Sequence, residues 1–140
     1  MSGGRKILFV DDDRDFLKSQ KIFFSSKGFQ VLTAESAEEA LKLLEKEVPD
    51  IMFLDLIMEH SDTGFTLSYH IRKDDRFKNV PLVMLSGVAS QTHHRFDHEG
   101  EELKQWSKLD AFMDKPVTGK QLLRMVEEKL GIQPAATSHS

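Results

Sequence analysis

The sequence contains no cysteine among its 140 residues, and this absence excludes disulfide bonds, thiolate metal sites and cysteine nucleophiles. It also contains no apolar run that approaches the length of a membrane span, and its first six residues are too short and too polar to form a signal peptide. We therefore expect a cytoplasmic protein that has no membrane partner.

Basic residues are not in excess either. The sequence has 19 lysine and arginine residues against 23 acidic ones, a net charge of −4, whereas nucleic-acid-binding domains usually carry a basic stripe. We therefore expect no direct contact with nucleic acid, and we interpret the mild acidic excess as favouring solubility. Hydrophobic residues make up 39% of the chain, which in 140 residues is enough for one domain with its own core.

Short apolar runs alternate with helical patterns along most of the chain. Five runs are predicted to be strands, at residues 7–10, 29–34, 51–54, 82–85 and 111–113. Helices are predicted between them and after the last one, including one within the polar stretch 90–108. This alternation predicts a three-layer α/β sandwich of the flavodoxin-like class, with five helices and a five-stranded parallel sheet in the order 2-1-3-4-5. We expect the domain to span residues 5–131, with flexible tails at 1–4 and 132–140 and no output domain after Gly131.

Capping residues mark where several helices should begin. Ser36 with Glu39 and Thr118 with Gln121 have the spacing of capping boxes. Asp13 is suited to begin the first helix. The buried side of that helix is predicted to carry residues at helical spacing, namely Phe16, Gln20, Phe23 and Phe24.

Charged and hydroxyl side chains follow the predicted strands where the strands end. Asp11 and Asp12 follow the first strand, Asp55 the third and Ser86 the fourth, and Lys115 comes after the fifth. Because the carboxyl ends of parallel strands meet at one edge of a sheet, these groups should converge although they are distant in sequence. In this strand order the reversal lies between strands one and three, so the three carboxylates should lie together there.

Three carboxylates in one pocket repel one another unless a cation binds, and hard oxygen ligands favour Mg²⁺. The ion would also keep Asp55 ionised, so that it could act as a nucleophile at neutral pH. Attack on a phosphoryl group requires a divalent ion, a lysine and a hydroxyl donor around the equatorial oxygens. Asp12, Lys115 and Ser86 could supply these three roles.

Four sequence runs at the predicted strand ends are ILFVDDD, FLDLIM, LVMLSG and DAFMDKPV. In this order they resemble the signature of the response-regulator receiver family of two-component signal transduction. Any one of these runs alone is weak evidence for the family, because an apolar run that ends in aspartate occurs by chance in many α/β proteins. The resemblance covers about residues 5–131, nearly the whole chain.

This resemblance implies a phosphorylation-dependent switch and not an enzyme. It implies that Asp55 accepts a phosphoryl group from a histidine kinase or a phosphotransfer protein, and that the signal passes to a downstream protein. It further implies that Mg²⁺ binds Asp12, Asp55 and the main-chain carbonyl of Ile57, with Asp11 assisting through water. Lys115 is implied to pair with the phosphoryl group. Ser86 is implied to move toward it, and Phe112 matches the aromatic switch residue of the family.

Three alternative interpretations remain open. Asp11 and Asp13 form an Asp-x-Asp after a strand, as in haloacid dehalogenase-type phosphatases, although Asp15 stands where those enzymes usually have threonine or serine. Asp55 would then have no role. The chain could also be a receiver-like interaction module that turns over no phosphate, and Phe112 could be a plain core residue.

The sequence departs from the family pattern in two regions. Glu59 stands where receivers usually carry proline, and the stretch between Ser86 and Lys115 is longer than usual by on the order of half a dozen residues. Residues 87–106 have little to bury, so we expect them to form the output surface with the fifth strand and the last helix. The resemblance also implies a cis bond between Lys115 and Pro116, which would aim Lys115 into the pocket, although few X–Pro bonds are cis.

Overall fold

The computed structural model describes residues 5–55, 63–86 and 111–132, with the backbone alone described at residues 63–65 and at Ser86. Its elements, in chain order, are β1 (Lys6–Val10), α1 (Arg14–Ser26), β2 (Gln30–Ala34), α2 (Ala37–Leu44), β3 (Ile51–Asp55), α3 (Thr63–Arg72), a 3₁₀ helix (Asp75–Phe77), β4 (Leu82–Ser86), β5 (Ala111–Asp114) and α4 (Gly119–Leu130). Within these ranges no helix is long and apolar enough to cross a membrane, and the longest, α1, has 13 residues.

The five strands form one parallel sheet in the order β2-β1-β3-β4-β5. This confirms the predicted fold class and strand order, and each strand begins and ends within one residue of its predicted bounds. The described ranges contain four of the five expected α-helices. Several predictions fall outside the described residues. They concern the helix within 90–108, the output segment 87–106, and the residues Ile57 and Glu59.

Both faces of the sheet are buried, because successive side chains of a strand point to opposite faces. In β1, β3 and β4 the even-numbered residues, such as Leu8 and Met84, pack in one cluster with α2 and α3. The odd-numbered residues pack in a second cluster with α1 and α4. There Phe9 and Phe53 are register partners, and their rings stack with centroids 5.0 Å apart. The unbroken apolar runs of these strands follow from burial on both sides.

The two predicted capping boxes have different outcomes. Thr118 and Gln121 form the complete box at the start of α4, with each side chain bonded to the other residue's N–H. At α2 the Ser36 hydroxyl accepts from the Glu39 N–H at 3.1 Å, but the Glu39 carboxylate accepts from the N–H of Glu35 at 2.8 Å. This second bond reaches one residue earlier than in a capping box, so the prediction at α2 was half right.

Arg72, the last residue of α3, forms hydrogen bonds with the segment that leads into β4. Its Nη1 donates to the carbonyl oxygens of Phe77 (2.7 Å), Lys78 (3.3 Å) and Val80 (2.7 Å). The turn that it holds contains the 3₁₀ helix, which is capped by Asp74 and was not predicted from the sequence. These bonds tie the end of α3 to the residues that enter β4.

Gln20 is a polar residue on the buried side of α1, as its spacing predicted. It is 6% exposed, and within the described part of the chain its Oε1 accepts no hydrogen bond. A buried polar atom that lacks a partner costs about 1 to 3 kcal/mol of stability. The amide of Gln20 is therefore a site where the fold can be made more stable.

Replacing Gln20 with methionine should raise the free energy of unfolding by about 1 kcal/mol, because a thioether of similar volume removes the unpartnered oxygen. Chemical denaturation followed by circular dichroism measures the difference. The control is Lys18→Met on the exposed side of α1, which should change stability by less than about 0.5 kcal/mol. A less stable Gln20→Met variant would mean that the amide makes a stabilising hydrogen bond in solution.

Candidate functional site

The carboxyl ends of β1 and β3 lie side by side near the middle of the sheet. Val10 and Leu54 are register partners, so Asp11, directly after β1, and Asp55, the last residue of β3, leave the sheet at the same edge. The Asp11 N–H donates to the carbonyl oxygen of Ala34 at 3.0 Å, which extends the pairing of β1 with β2 by one residue. Since β2 and β3 flank β1 on opposite sides, the strand order reverses here.

Three carboxylates meet at this edge. An oxygen atom from each of Asp11, Asp12 and Asp55 lies within 4.8 Å of the other two. Asp11 and Asp55 are 1% and 4% exposed, whereas Asp12 is exposed to solvent. Carboxylate oxygens at this spacing fit Mg²⁺, which binds to one or two carboxylates and retains several waters. The open side at Asp12 leaves room for those waters.

Lys115 reaches the carboxylates from the chain that follows β5. Its Nζ lies 2.6 Å from Oδ2 of Asp11 and 3.5 Å from Oδ1 of Asp55. The bond between Lys115 and Pro116 is cis, which confirms the prediction made from the sequence. The structure thus brings one ammonium group against the carboxylate cluster, and the four groups together carry a net negative charge when all are ionised.

Burial and neighbouring charge change the pKa values of two pocket groups. The pKa of Asp55 is raised from 3.8 to about 7, first by burial and next by the charge of Asp11; Lys115 opposes this rise and Asp12 adds to it. Burial disfavours the charged form of Lys115, but its hydrogen bond to Asp11 and the charges of Asp11 and Asp55 outweigh burial and raise its pKa. Lys115 is therefore an ammonium at neutral pH, while Asp55 is ionised only in part without a bound cation.

Phe16, which sequence analysis placed only on the buried side of α1, also borders the pocket. The Nζ of Lys115 lies 5.0 Å from the centroid of its ring, within the range of a cation–π contact. Phe16 lies in the first turn of α1, five residues after Asp11. The position of an aromatic residue so soon after the acids could have indicated that Phe16 lies near the pocket. Its contact with Lys115 had no signal in the sequence.

Two other predicted site residues, Ser86 and Phe112, lie in β4 and β5. Ser86 ends β4 as the register partner of Asp114, the residue before Lys115, and the structure describes its backbone and not its side chain. Phe112 is half-buried in β5 and packs against the cluster that contains α2 and α3. This position is compatible with a plain core residue as well as with a switch.

Asp13 serves as the cap of α1 and does not join the cluster. Its Oδ1 accepts from the N–H groups of Asp15 and Phe16 at 3.0 and 3.2 Å. Its own N–H donates to Oδ1 of Asp11 at 2.9 Å. The dehalogenase-type alternative places Asp11 and Asp13 together in one Asp-x-Asp site. Here the Asp13 carboxylate is engaged by the helix, as expected for a capping residue, which argues against this alternative.

Several known proteins have similar sequences. The chain is 30% identical over 122 residues, 87% of each protein, to an uncharacterized 14.6 kDa protein in the sodA1 3′ region of Leptolyngbya boryana. It is 39% identical over 84 residues, 60% of its length, to the probable transcriptional regulator ycf27 of Guillardia theta. It is 28% identical over 129 residues, 92% of its length, to the transcriptional regulatory protein GltR of Pseudomonas aeruginosa. The chain spans only 32% and 50% of the lengths of these two regulators.

Solved structures share the fold. A CheY-like response regulator receiver domain protein from Methanospirillum hungatei superposes with a TM-score of 0.77 at 28% identity, covering 91% of this chain and 94% of the other. The chemotaxis response regulator CheY4 of Vibrio cholerae superposes with a TM-score of 0.76 at 24% identity, covering 89% and 98%. At this identity the second likeness shows the fold alone.

A family match extends over most of the chain. The sequence profile of the response regulator receiver domain matches residues 7–127. This range begins in β1 and ends in α4, and it contains all three clustered carboxylates and Lys115. Receivers of this family are typically switches and not enzymes. The chain therefore belongs to the response regulator receiver domain family of two-component signalling.

Proposed function

We propose that this protein is a phosphoacceptor switch. Asp55 accepts a phosphoryl group from a histidine kinase or a phosphotransfer protein with the help of Mg²⁺, and a downstream protein reads the phosphorylated form. The observation that carries the proposal is the meeting of Asp11, Asp12 and Asp55 with Lys115 where the strand order reverses. The chemistry is confined to its own phosphoryl group, and the absence of cysteine is compatible with a cytoplasmic location.

Asp55 is the best nucleophile of the three carboxylates. Its burial and raised pKa make its ionised oxygen more basic than that of an exposed aspartate. Asp11 already accepts hydrogen bonds on both of its oxygens, from Nζ of Lys115 at 2.6 Å and from the Asp13 N–H at 2.9 Å. Asp12 is exposed, so water solvates its carboxylate oxygens.

Transfer from a phosphohistidine requires attack by the Asp55 carboxylate on phosphorus. The oxygen–phosphorus bond forms as the phosphorus–nitrogen bond breaks, and the imidazole nitrogen keeps the electron pair. Lys115 lies where it can donate to an equatorial phosphoryl oxygen, because its Nζ is 3.5 Å from Oδ1 of Asp55. The enclosing strand ends keep Asp55 fixed in position, so little reorganisation accompanies the attack.

Asp12 and Asp55 are the residues that would hold Mg²⁺, together with the main-chain carbonyl of Ile57, while Asp11 would act through a water. When bound, the ion would supply positive charge against the carboxylates and the phosphoryl oxygens. The three carboxylates offer oxygen atoms within 4.8 Å of one another, which supports this assignment. Oxygen ligands and an open side favour a moderate affinity, because the ion must keep waters that a phosphoryl oxygen can replace.

The phosphorylated state is proposed to be read through Ser86 and Phe112. The Ser86 hydroxyl would gain a charge-assisted hydrogen bond to the phosphoryl group, and the position of Ser86 at the end of β4 supports this role. Its register partner, Asp114, belongs to the same strand as Phe112. A movement at Ser86 would therefore reach β5 directly and bias the equilibrium between two states.

Incubation with acetyl phosphate and Mg²⁺ should add one phosphoryl mass to the protein, and Asp55→Asn should abolish the addition because the amide is not a nucleophile. Intact-protein mass spectrometry measures the label. Asp13→Asn is the matched control, because asparagine also caps a helix, and it should be labelled like the wild type. Label on Asp11 would favour a dehalogenase-type reaction, and an unlabelled wild type would favour an interaction module.

Replacing Asp12 with alanine should weaken Mg²⁺ binding by more than about tenfold and leave the chain folded, because an exposed carboxylate ligand is lost. Titration calorimetry measures the affinity, and circular dichroism checks the fold. Asp15→Ala removes another exposed acid close in sequence and should bind Mg²⁺ as the wild type does. Equal affinities for Asp12→Ala and wild type would show that Asp12 is not a ligand.

Without Mg²⁺, the stability of the wild type should fall relative to Asp55→Asn as the pH rises from about 4 to about 7. The folded state keeps a proton on Asp55 up to a pKa of about 7, whereas the unfolded state loses it near 3.8. In that window each pH unit should therefore add about 1.4 kcal/mol to the advantage of Asp55→Asn. Denaturation curves across this range measure the difference.

Asp13→Asn is again the control for this pH dependence, and its stability should run parallel to that of the wild type. Saturating Mg²⁺ should reduce the advantage of Asp55→Asn at pH 8, because an ion that binds the folded state stabilises it. An advantage that stays constant between pH 4 and pH 8 would contradict the raised pKa.

A further inference from the structure

The side chain of Lys115 has a third neighbour besides the two buried carboxylates. Its Nζ lies 5.0 Å from the ring centroid of Phe16, and the side chain is 22% exposed. An ammonium group is attracted to the face of an aromatic ring, and more strongly when water is largely excluded. Unlike a carboxylate, the ring takes none of the three N–H donors of the lysine in a conventional hydrogen bond.

The ring of Phe16 is held relative to the strands that carry the acids. Its main-chain N–H is bonded to the capping carboxylate of Asp13 at 3.2 Å, which fixes the residue in the first turn of α1. Its ring meets Phe9 edge to face at 6.2 Å, and Phe9 stacks on Phe53 at 5.0 Å. Phe9 lies in β1, two residues before Asp11, and Phe53 lies in β3, two residues before Asp55.

We propose that Phe16 is a positioning residue for phosphoryl transfer, which keeps the Lys115 ammonium beside Asp55 with an N–H donor free for a phosphoryl oxygen. This role rests on the proposed function. The shorter ion pair, 2.6 Å to Asp11 against 3.5 Å to Asp55, draws Lys115 toward Asp11. The ring holds the ammonium without competing for the donor that the phosphoryl group requires, so less reorganisation precedes transfer.

Substitution at Phe16 separates this role from simple core packing. Phe16→Leu keeps an apolar side chain but removes the ring face, and Phe16→Met does the same with a flexible side chain if leucine packs poorly. Phe16→Tyr keeps the ring. Phe23 supplies the matched control, because it is also half-buried on α1 and contacts an ammonium, that of Lys27 at 5.4 Å. Phe23→Leu removes a comparable contact away from the pocket.

The experiment measures labelling of the full chain by acetyl phosphate at saturating Mg²⁺, as a function of donor concentration. Phe16→Leu and Phe16→Met should lower the maximal rate by about fivefold with little change in the half-saturating donor concentration. Phe16→Tyr and Phe23→Leu should stay within about twofold of the wild type.

NMR spectra of the unphosphorylated protein test the ring contact directly. The ε-methylene protons of Lys115 are assigned by their loss in Lys115→Gln. Their resonances should be shifted upfield in the wild type and in Phe16→Tyr, and not in Phe16→Leu.

The outcomes separate this role from the proposed function. A labelled wild type with unchanged rates in Phe16→Leu and Phe16→Met would overturn the role of Phe16 and leave Asp55 as the acceptor. A rate loss in Phe23→Leu as large as in Phe16→Leu would reduce Phe16 to a packing residue. A wild type that takes no label would overturn the proposed function and this role together, while the lysine resonances would still report whether the ring contact exists.

Discussion

The register of β1 against β3 places two buried carboxylates, those of Asp11 and Asp55, side by side. Like charges in a pocket from which water is largely excluded oppose folding, so the arrangement requires strands that do not move apart or slide. A slip of one residue would turn every side chain of a strand to the other face of the sheet. Since β1 and β3 are apolar and buried on both faces, such a slip would disrupt both core clusters at once.

This arrangement leaves the pocket with more negative than positive charge, because three carboxylates face one ammonium group. Lys115 compensates part of the negative charge, and its contacts with Asp11 and Asp55 raise its own pKa despite burial. The remaining excess favours either a proton on Asp55 or a divalent cation, and the open position of Asp12 gives the cation access. The same excess of negative charge makes the three carboxylates suitable ligands for a divalent cation.

The sequence predicted the sheet, its order and the meeting of the strand-end acids with Lys115, because these follow from strand periodicity and from the shared edge of parallel strands. The contact between Phe16 and Lys115 was not predictable in this way. It depends on the rotation of α1 about its axis and on the path of the chain after β5, and neither is encoded in a local pattern. Likewise, the spacing of Gln20 predicted its burial but could not show whether its amide finds a partner.

The three hydrogen bonds from Arg72 hold the chain at the entrance of β4. Because Phe77, Lys78 and Val80 are bonded to one guanidinium, and the Met52 N–H donates to the carbonyl oxygen of Pro81, the entrance of the strand is anchored to both α3 and β3. Sliding of β4 along its axis would break these bonds together. Ser86 ends the same strand as the register partner of Asp114, so a displacement at this end would move β4 together with β5 while the entrance of β4 stays in place.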